Sequence, residues 1–175
     1  ELLKVVTDCG FELECTPYHK FYVQTQYTGS KIVEKRAAEL SVGDKLIKLE
    51  TPVIDGATDL HLPYENGFYS GDGCLADGKP RIYLYGEKKF LRSRFTTLRN
   101  LVVNQDLDRE HFTVDGLMPK FFVPDATYTV KSRVDWFAGL LDSDGCVAKC
   151  GESQTLQIVS TEGGFLEKVQ LMLQT

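Results

Sequence analysis

The alternation of hydrophobic and polar residues divides the chain into two parts of different character. Over the first fifty residues, short runs rich in β-branched and aromatic side chains are separated by polar turns, which is typical of a small β domain. The predicted strands are residues 1–8, 11–15, 20–25, 31–35 and 45–49, with a short helical turn at 37–40. Further along, helical spacing predicts helices over 63–71, 87–100, 132–141 and 162–173, and alternation predicts a strand over 81–85. A domain boundary is therefore expected near residues 50–58.

Composition narrows the class of protein. The 175 residues are 42% hydrophobic and 26% charged, values that are ordinary for a globular chain able to bury a core. No apolar run reaches the ~20 residues of a membrane helix, and no targeting segment is evident, so we expect a cytoplasmic protein without a membrane partner. The five cysteines are irregularly spaced, which predicts small buried thiols rather than disulfides or a zinc site.

The net charge of −5 conceals a basic middle segment. Residues 1–78 carry 7 basic and 13 acidic side chains, whereas residues 79–133 carry 11 basic and 6 acidic ones. Such a segment can neutralise phosphates even in an acidic protein. The alternative is that these charges form the solvated face of a helix.

An internal repeat covers the ends of the two central predicted helices. Residues 67–74 read GFYSGDGC and residues 139–146 read GLLDSDGC, so Gly, Asp, Gly and Cys recur at the same offsets, 72 residues apart. Each copy is followed by strand-like and then helix-like sequence. The repeat therefore predicts a pseudo-twofold α+β domain.

The repeat places Asp72 and Asp144 at the ends of two helices. The leading glycine of each copy would let the helices approach closely, which would bring the two carboxylates together. A carboxylate at a helix C-terminus is disfavoured by the helix dipole, and a divalent cation would compensate for that cost. Two carboxylates that share Mg²⁺ beside a phosphate can support phosphodiester hydrolysis. The alternative is that each Asp-Gly pair is an ordinary turn.

Both copies resemble a known signature. Residues 137–145, FAGLLDSDG, resemble the LAGLIDADG motif of homing endonucleases, and residues 65–73, ENGFYSGDG, are similar to a weaker copy of it. The resemblance implies that Asp72 and Asp144 are catalytic and bind Mg²⁺ (or Mn²⁺). Gly71 and Ser143 complete the implied metal-ligand set, and Asp142 matches a less critical acidic position.

The resemblance extends to a lysine and to a DNA-binding surface. Residues 120–124, KFFVP, match a family position that implies Lys120 lies near the scissile phosphate, where it would stabilise charge or position water; the alternative is a solvated loop lysine. Double-stranded DNA is expected to lie across a saddle formed by the sheets of the two repeats. The candidate DNA-binding residues are Lys79, Arg81, Lys88, Lys89 and Arg92.

The first part of the chain resembles a different motif. Residues 10–21, GFELECTPYHKF, are similar to the Thr-x-x-His motif of inteins, found in the horseshoe-shaped β fold (Hint) shared with hedgehog autoprocessing domains. The resemblance implies that Thr16 and His19 act at the upstream splice junction without a cofactor. A histidine with a pKa near ~6.5 can give a proton to the departing amide at neutral pH. Residues 40–47, LSVGDKLI, match a strand entry of the same fold.

Together these patterns predict an α+β chain. It would combine a partial all-β Hint splicing domain (residues 1–52) with a pseudo-twofold αββαββα LAGLIDADG endonuclease domain (residues 53–175), whose repeats cover about 60–125 and 130–175 with the second truncated. The leading Cys or Ser and the closing His-Asn pair of inteins are not found, so we expect an internal piece of a longer intein that does not splice by itself. Its sequence is similar to those of inteins in ribonucleotide reductases. The expected partners are target DNA and the flanking host segments, with the protein a monomer. The alternatives are a free-standing homing endonuclease and a non-catalytic DNA-binding relic.

Overall fold

The computed structural model describes residues 2–25, 31–48 and 52–175, and the chain divides into two units, Glu1–Glu50 and Thr51–Thr175. Both helices and small sheets are present, so the fold is mixed α/β. The ends of the predicted strands at residues 1 and 49, and the start of the predicted boundary at 50 and 51, lie outside the described residues.

The first unit is built from short antiparallel strands. The elements are β1 (Leu3–Val6), β2 (Glu12–Cys15), β3 (Lys20–Gln24), β4 (Ile32–Arg36), a 3₁₀ turn (Ala37–Glu39) and β5 (Lys45–Leu46). Strand β1 pairs with β2 around a turn in which Gly10 takes a φ of 86°, a conformation that favours glycine. Strand β3 lies between β4 and β5 in a second sheet, and Val23 on β3 is almost fully buried. The predicted strands are confirmed with small changes at their ends.

The second unit contains the two sequence repeats. The elements are α1 (Pro63–Asp72), β6 (Gly73–Ala76), β7 (Lys79–Tyr85), a 3₁₀ helix (Gly86–Arg94), β8 (Leu98–Asn104), β9 (Arg109–Val114), α2 (Val130–Asp144), β10 (Gly145–Cys150), β11 (Ser153–Ile158) and α3 (Gly163–Met172). Helix α1 is followed by an antiparallel sheet of four strands in the order β6-β7-β9-β8, and helix α2 is followed by the hairpin β10–β11 and helix α3.

The predicted helix over residues 87–100 is wrong in both its type and its length. The segment forms a 3₁₀ helix of nine residues and then turns into β8, where Val102 and Val103 pair with β9. β-branched residues such as these two valines favour strands, and pairing with β9 brings the last residues of the predicted helix, from Leu98 onwards, into β8. In a 3₁₀ helix side chains three residues apart align, so Lys88, Leu91 and Arg94 lie on one side. The helices predicted over 63–71, 132–141 and 162–173 are confirmed.

Two hydrophobic clusters support this unit. In the first, α1 packs on one face of the four-stranded sheet through residues such as Phe68, Ile82 and Phe112, all fully buried. In the second, α2 and α3 pack together around Trp136 and Phe165. Because α1 contacts one cluster and α2 the other, the α1–α2 pair lies between the two clusters.

The cysteine prediction is only partly correct. Among the four cysteines whose side chains are described, all have free thiols, but Cys15 alone is buried; Cys9 and Cys146 are exposed. In the described ranges, no helix has the length and apolar character required to cross a bilayer.

Candidate active site

Helices α1 and α2 pack so closely at two glycines that their main chains are in contact, as the repeat predicts. A Cβ placed on Gly67 would lie 1.8 Å from the Trp136 carbonyl oxygen, and one on Gly139 would lie 2.0 Å from the Tyr64 carbonyl oxygen. Each glycine therefore contacts the main chain of the opposite helix, in a crosswise and symmetric arrangement. No other residue type fits at these positions without moving the helices apart.

This contact brings the two predicted catalytic aspartates together at adjacent helix ends. Asp72 is the last residue of α1 and Asp144 the last residue of α2. A Cβ on Gly71 would lie 2.7 Å from the Asp144 carboxyl carbon and 2.2 Å from the Ser143 hydroxyl oxygen. The end of one helix thus lies directly against the carboxylate of the other.

The surroundings of Asp144 disfavour its ionised form. Asp144 is an exposed residue, but the crowded helix ends remove part of the water from its carboxylate, and this loss raises the pKa of Asp144 above its ordinary value. The charge of Asp72 adds to the increase, while Lys88 and Lys120 oppose it. The two lysines therefore do not fully offset the loss of water and the charge of Asp72 at this carboxylate.

Lys120 lies at the end of α1. Its ammonium group donates to the carbonyl oxygens of Gly71 (3.2 Å) and Gly73 (2.5 Å). The following residue, Phe121, has a φ of 67° and packs its ring on Phe165 of the second cluster. A non-glycine residue in the left-handed region is strained, and here packing offsets the strain and fixes the chain beside Lys120. Lys120 is thus held at the helix end and is not a solvated loop lysine.

A second lysine, Lys88 of the 3₁₀ helix, also lies between the helix ends. Its ammonium group donates to the Asp72 carboxylate and, at 2.5 Å, to the carbonyl oxygen of Ser143. The sequence suggested only a DNA-binding role for Lys88. Its contact with Ser143 joins residues 55 positions apart, so no local pattern in the sequence could reveal it.

Asp142, the weaker acidic position of the motif, is engaged elsewhere. Its carboxylate accepts hydrogen bonds from the Tyr64 hydroxyl (2.9 Å) and from Arg94 (2.7 Å), and the Arg94 guanidinium lies 4.2 Å from the centre of the Tyr64 ring. The pKa of the Tyr64 hydroxyl is raised, mainly by burial and secondly by its hydrogen bond to Asp142. This network joins α1, α2 and the 3₁₀ helix.

The donor atoms at the helix ends suit a hard divalent cation. The carboxylates of Asp72 and Asp144 and the carbonyl oxygens of Gly71 and Ser143 all lie around the same junction. Within the described ranges no group of three or more His, Cys, Asp or Glu side chains could hold a metal. Mg²⁺ commonly uses only one or two protein carboxylates and retains several waters, so this oxygen-only set fits it.

The outer face of the four-stranded sheet carries part of the predicted DNA-binding set. Lys79 and Arg81 line a hollow of about 460 Å³ together with His111 and Thr113. Because side chains alternate along a strand, this face is opposite to the one that packs on α1. Loss of water, and then the charges of Arg81 and Arg109, lower the pKa of His111.

This outer face also contains polar atoms without a protein partner. Arg81 Nε, Arg109 Nε and His111 Nδ1 are buried but make no hydrogen bond among the described residues. Tyr83 stacks with Tyr85 and lies beneath Arg109, whose guanidinium carbon is 5.3 Å from the ring centre. Arg109 and His111 were not among the residues predicted to bind DNA, although the alternation of 109–114, REHFTV, could have identified their strand.

The other three predicted DNA-binding residues are placed differently. Lys88 contacts Asp72, Lys89 contacts Asp108, and Arg92 lies 3.2 Å from the nearly buried carboxylate of Glu110. None of the three lines the hollow on the outer face. Their role in binding DNA remains a prediction.

The splicing candidates lie in the first unit. Thr16 and His19 flank a tight turn in which the His19 amide donates to the Thr16 carbonyl oxygen at 3.0 Å. The His19 carbonyl oxygen accepts from the Ala37 amide at 2.7 Å, and the His19 ring meets Phe21 edge-on at 5.0 Å. Both side chains are exposed, so the fold fixes the backbone and leaves the Thr16 and His19 side chains accessible.

Comparison with known proteins gives relatives of two kinds. The chain is 35% identical over 190 residues to the ribonucleoside-diphosphate reductase large subunit of Invertebrate iridescent virus 6, and 31% identical over 212 residues to the ribonucleoside-diphosphate reductase NrdEB subunit alpha of Bacillus subtilis (strain 168). Each alignment includes 99% of the chain. The chain is also 32% identical over 123 residues, 70% of its length, to the replication factor C small subunit of Pyrococcus furiosus.

The chain spans about a fifth of the length of the reductase relatives and 14% of the replication factor relative. No protein-family profile matches it. The predicted association with ribonucleotide reductase sequences is confirmed.

Proposed function

We propose that the chain is part of an intein that combines a protein-splicing domain with a LAGLIDADG DNA endonuclease. One observation carries this proposal: 99% of the chain is similar to a segment of a reductase subunit, and 70% of it is similar to a segment of a replication factor subunit, a protein with an unrelated name. A catalytic segment of a reductase has no reason to recur in a replication factor. An inserted element does not depend on the chemistry of its host and can occur in both.

The geometry of the second unit supports the endonuclease part. Two helices with matched motifs cross at paired glycines and end in paired aspartates, each followed by a strand. Such symmetry suits a pseudo-symmetric duplex, in which each repeat faces one strand. The order of elements is compatible with two αββ halves, and the 3₁₀ helix takes the place of the helix expected after β7.

The residues at the helix ends would have two different roles in hydrolysis, which are metal binding and stabilisation of charge on the phosphate. Asp72 and Asp144, with the carbonyl oxygens of Gly71 and Ser143, would hold Mg²⁺ or Mn²⁺. When bound there, the cation polarises the scissile phosphate and lowers the pKa of a bound water. Lys120, fixed at the end of α1, would add positive charge where the phosphate becomes more negative.

The splicing part would use Thr16 and His19 and no cofactor. The exposed His19 ring would donate a proton to the amide nitrogen that departs at the upstream junction, and Thr16 would hydrogen-bond the same amide. The partners would then be the flanking host segments in cis and double-stranded target DNA, with the protein acting as a monomer.

The decisive experiment uses the full-length protein that contains this chain. Its substrate is a plasmid carrying the host gene from which the coding segment of the insertion has been removed, and the control plasmid retains that segment. With Mg²⁺ we expect double-strand cleavage of the first plasmid and not of the second. Equal resistance of both plasmids would contradict the endonuclease assignment.

The splicing assignment predicts that His19→Ala, in the same full-length protein, slows upstream cleavage induced by thiols by more than about tenfold, since general acid catalysis typically contributes 10²–10⁴-fold. The yield of cleaved host segment is measured on gels. A matched control is His61→Ala, which removes an exposed histidine from the second unit. If both variants cleave like wild type, His19 has no role in splicing.

The outer sheet face predicts a specific salt dependence of DNA binding. Replacing Lys79 and Arg81 together with glutamine is expected to reduce the slope of log K against log salt by roughly 2, because each phosphate contact contributes about 0.9 to that slope. Binding is measured by fluorescence anisotropy with a labelled duplex between 50 and 200 mM salt, roughly the range in which such contacts are resolved. The control replaces Lys4 and Lys20, which pair with Glu12 and Glu34 in the first unit. An unchanged slope in the Lys79/Arg81 variant would place the DNA on another surface.

A further inference from the structure

Lys88 contacts both repeats at the ends of helices α1 and α2. It extends from the first turn of the 3₁₀ helix and contacts one oxygen from each motif, the Asp72 carboxylate of α1 and the Ser143 carbonyl oxygen of α2. It is also close enough to Asp144 to favour that residue's ionised form. Both helices end here, so their dipoles add negative potential at the same place.

The oxygens that Lys88 contacts belong to the set that suits a divalent cation. A lysine ammonium group is a compact point charge with three donors, and its position here neutralises oxygens that would otherwise repel one another. The Asp72 carboxylate and the Ser143 carbonyl oxygen cannot bind the ammonium group and a metal ion at full strength together. Lys120 also contacts one oxygen of this set, the Gly71 carbonyl oxygen, but its second hydrogen bond goes to the Gly73 carbonyl oxygen and not to a carboxylate.

We infer that the Lys88 ammonium group acts as a tethered cation that a divalent metal must displace before it can bind. This inference rests on the metal site of the proposed function and assigns Lys88 a role in setting metal affinity. Displacement is sterically feasible because the side chain is 37% exposed and its partner Asp72 is 22% exposed, so solvent reaches the contact. A displaced Lys88 would turn towards solvent, where its ammonium group regains hydration.

The test measures metal binding without DNA or cleavage. The full chain is titrated with Mn²⁺, and bound metal is followed by loss of the free-ion electron paramagnetic resonance signal. Lys88→Met is expected to bind Mn²⁺ about tenfold more tightly than wild type. In this variant the charge-assisted hydrogen bond from residue 88 to the Asp72 carboxylate no longer competes with the metal. Lys88→Arg keeps the charge and should bind no more tightly than wild type.

Two further variants complete the experiment. Lys89→Met removes a neighbouring lysine that pairs with Asp108, so it controls for the loss of one surface charge and should leave the affinity near wild type. Asp144→Asn should weaken binding in every background. In EDTA, Lys88→Met should also unfold at a lower temperature than Lys89→Met, because the paired carboxylates then repel without compensation. Circular dichroism verifies that each variant is folded.

The outcomes separate this inference from the proposed function. If Lys88→Met binds Mn²⁺ no more tightly than wild type while Asp144→Asn abolishes binding, the metal site stands and the competing role of Lys88 is wrong. If neither wild type nor Lys88→Met binds Mn²⁺, both the inference and the metal-dependent function are overturned. A tenfold gain that appears equally in Lys89→Met would reduce the effect to general surface charge and also overturn the inference.

Discussion

Replacing either paired aspartate with asparagine is expected to eliminate DNA cleavage while preserving DNA binding. Asp72→Asn or Asp144→Asn should reduce the cleavage rate by more than about 10²-fold, the loss typical when a group that stabilises transition-state charge is removed. Affinity for DNA should stay equal or increase, because each change deletes a negative charge that faces phosphates. Cleavage and binding of one substrate are measured in Mg²⁺, and binding alone in Ca²⁺.

The chain offers a matched control for this experiment two residues before Asp144. Asp142 has the same charge in the same motif, but its carboxylate is held by Tyr64 and Arg94 and does not contact the Lys88 ammonium group. Asp142→Asn should retain cleavage within several-fold of wild type. A normal cutting rate for Asp144→Asn would show that the two-aspartate mechanism is incorrect.

Asp144→Asn has a second expected effect, which is on the thermal stability of the protein in EDTA. The folded-state pKa of Asp144 is raised, so its ionised form is disfavoured in the folded protein. Stability is therefore lost as pH rises from the unfolded pKa of about 3.9 through the folded pKa, and the loss is complete above it. Asp144→Asn lacks this titration, so it should melt at a higher temperature than wild type at neutral pH, and the difference should vanish in acid.

Gly139→Ala is expected to destabilise the second unit strongly. The new Cβ would lie 2.0 Å from the Tyr64 carbonyl oxygen, a backbone atom that cannot turn away, so α1 and α2 must separate. We expect a loss of about 3 kcal/mol in the free energy of unfolding, at the upper end of ordinary overpacking costs. For a unit of this size that corresponds to roughly 10 °C in melting temperature.

The control for Gly139→Ala is Gly164→Ala in helix α3, where a Cβ meets nothing within 4 Å. Alanine is favoured over glycine in a helix by roughly 0.5–1 kcal/mol, so this variant should be neutral or stabilised. Both variants are unfolded by heat and by urea. A Gly139→Ala melting temperature within about 2 °C of wild type, a shift equivalent to less than 1 kcal/mol, would show that the helices do not require close contact.

The repeat made part of this fold predictable. Gly67 and Gly139 recur at one offset from Asp72 and Asp144, so the helix pair and its acidic ends followed from the sequence. Short strands in the first unit were also visible, because alternation and turn residues such as Gly10 are local signals.

The errors arise where distant contacts override local preference. Residues 87–100 contain good helix formers, yet Val102 and Val103 pair with β9 and draw the chain from Leu98 onwards into a strand. Lys88 had the features of a surface phosphate ligand, but the α1–α2 crossing creates a negative junction directly beside it. Neither the sheet pairing nor the junction is encoded within a window of a few residues.

The unusual winding of residues 86–94 has a mechanical consequence. At about 120° per residue, Lys88 and Arg94 point the same way, and each reaches the end of the helix pair, one at Asp72 and the other at Asp142. If the segment relaxed to an α-helix, with about 100° per residue, Arg94 would rotate by roughly 120° relative to Lys88 and lose its partner. Lys88 and Arg94 can therefore contact Asp72 and Asp142 at the same time only while the segment keeps its 3₁₀ pitch.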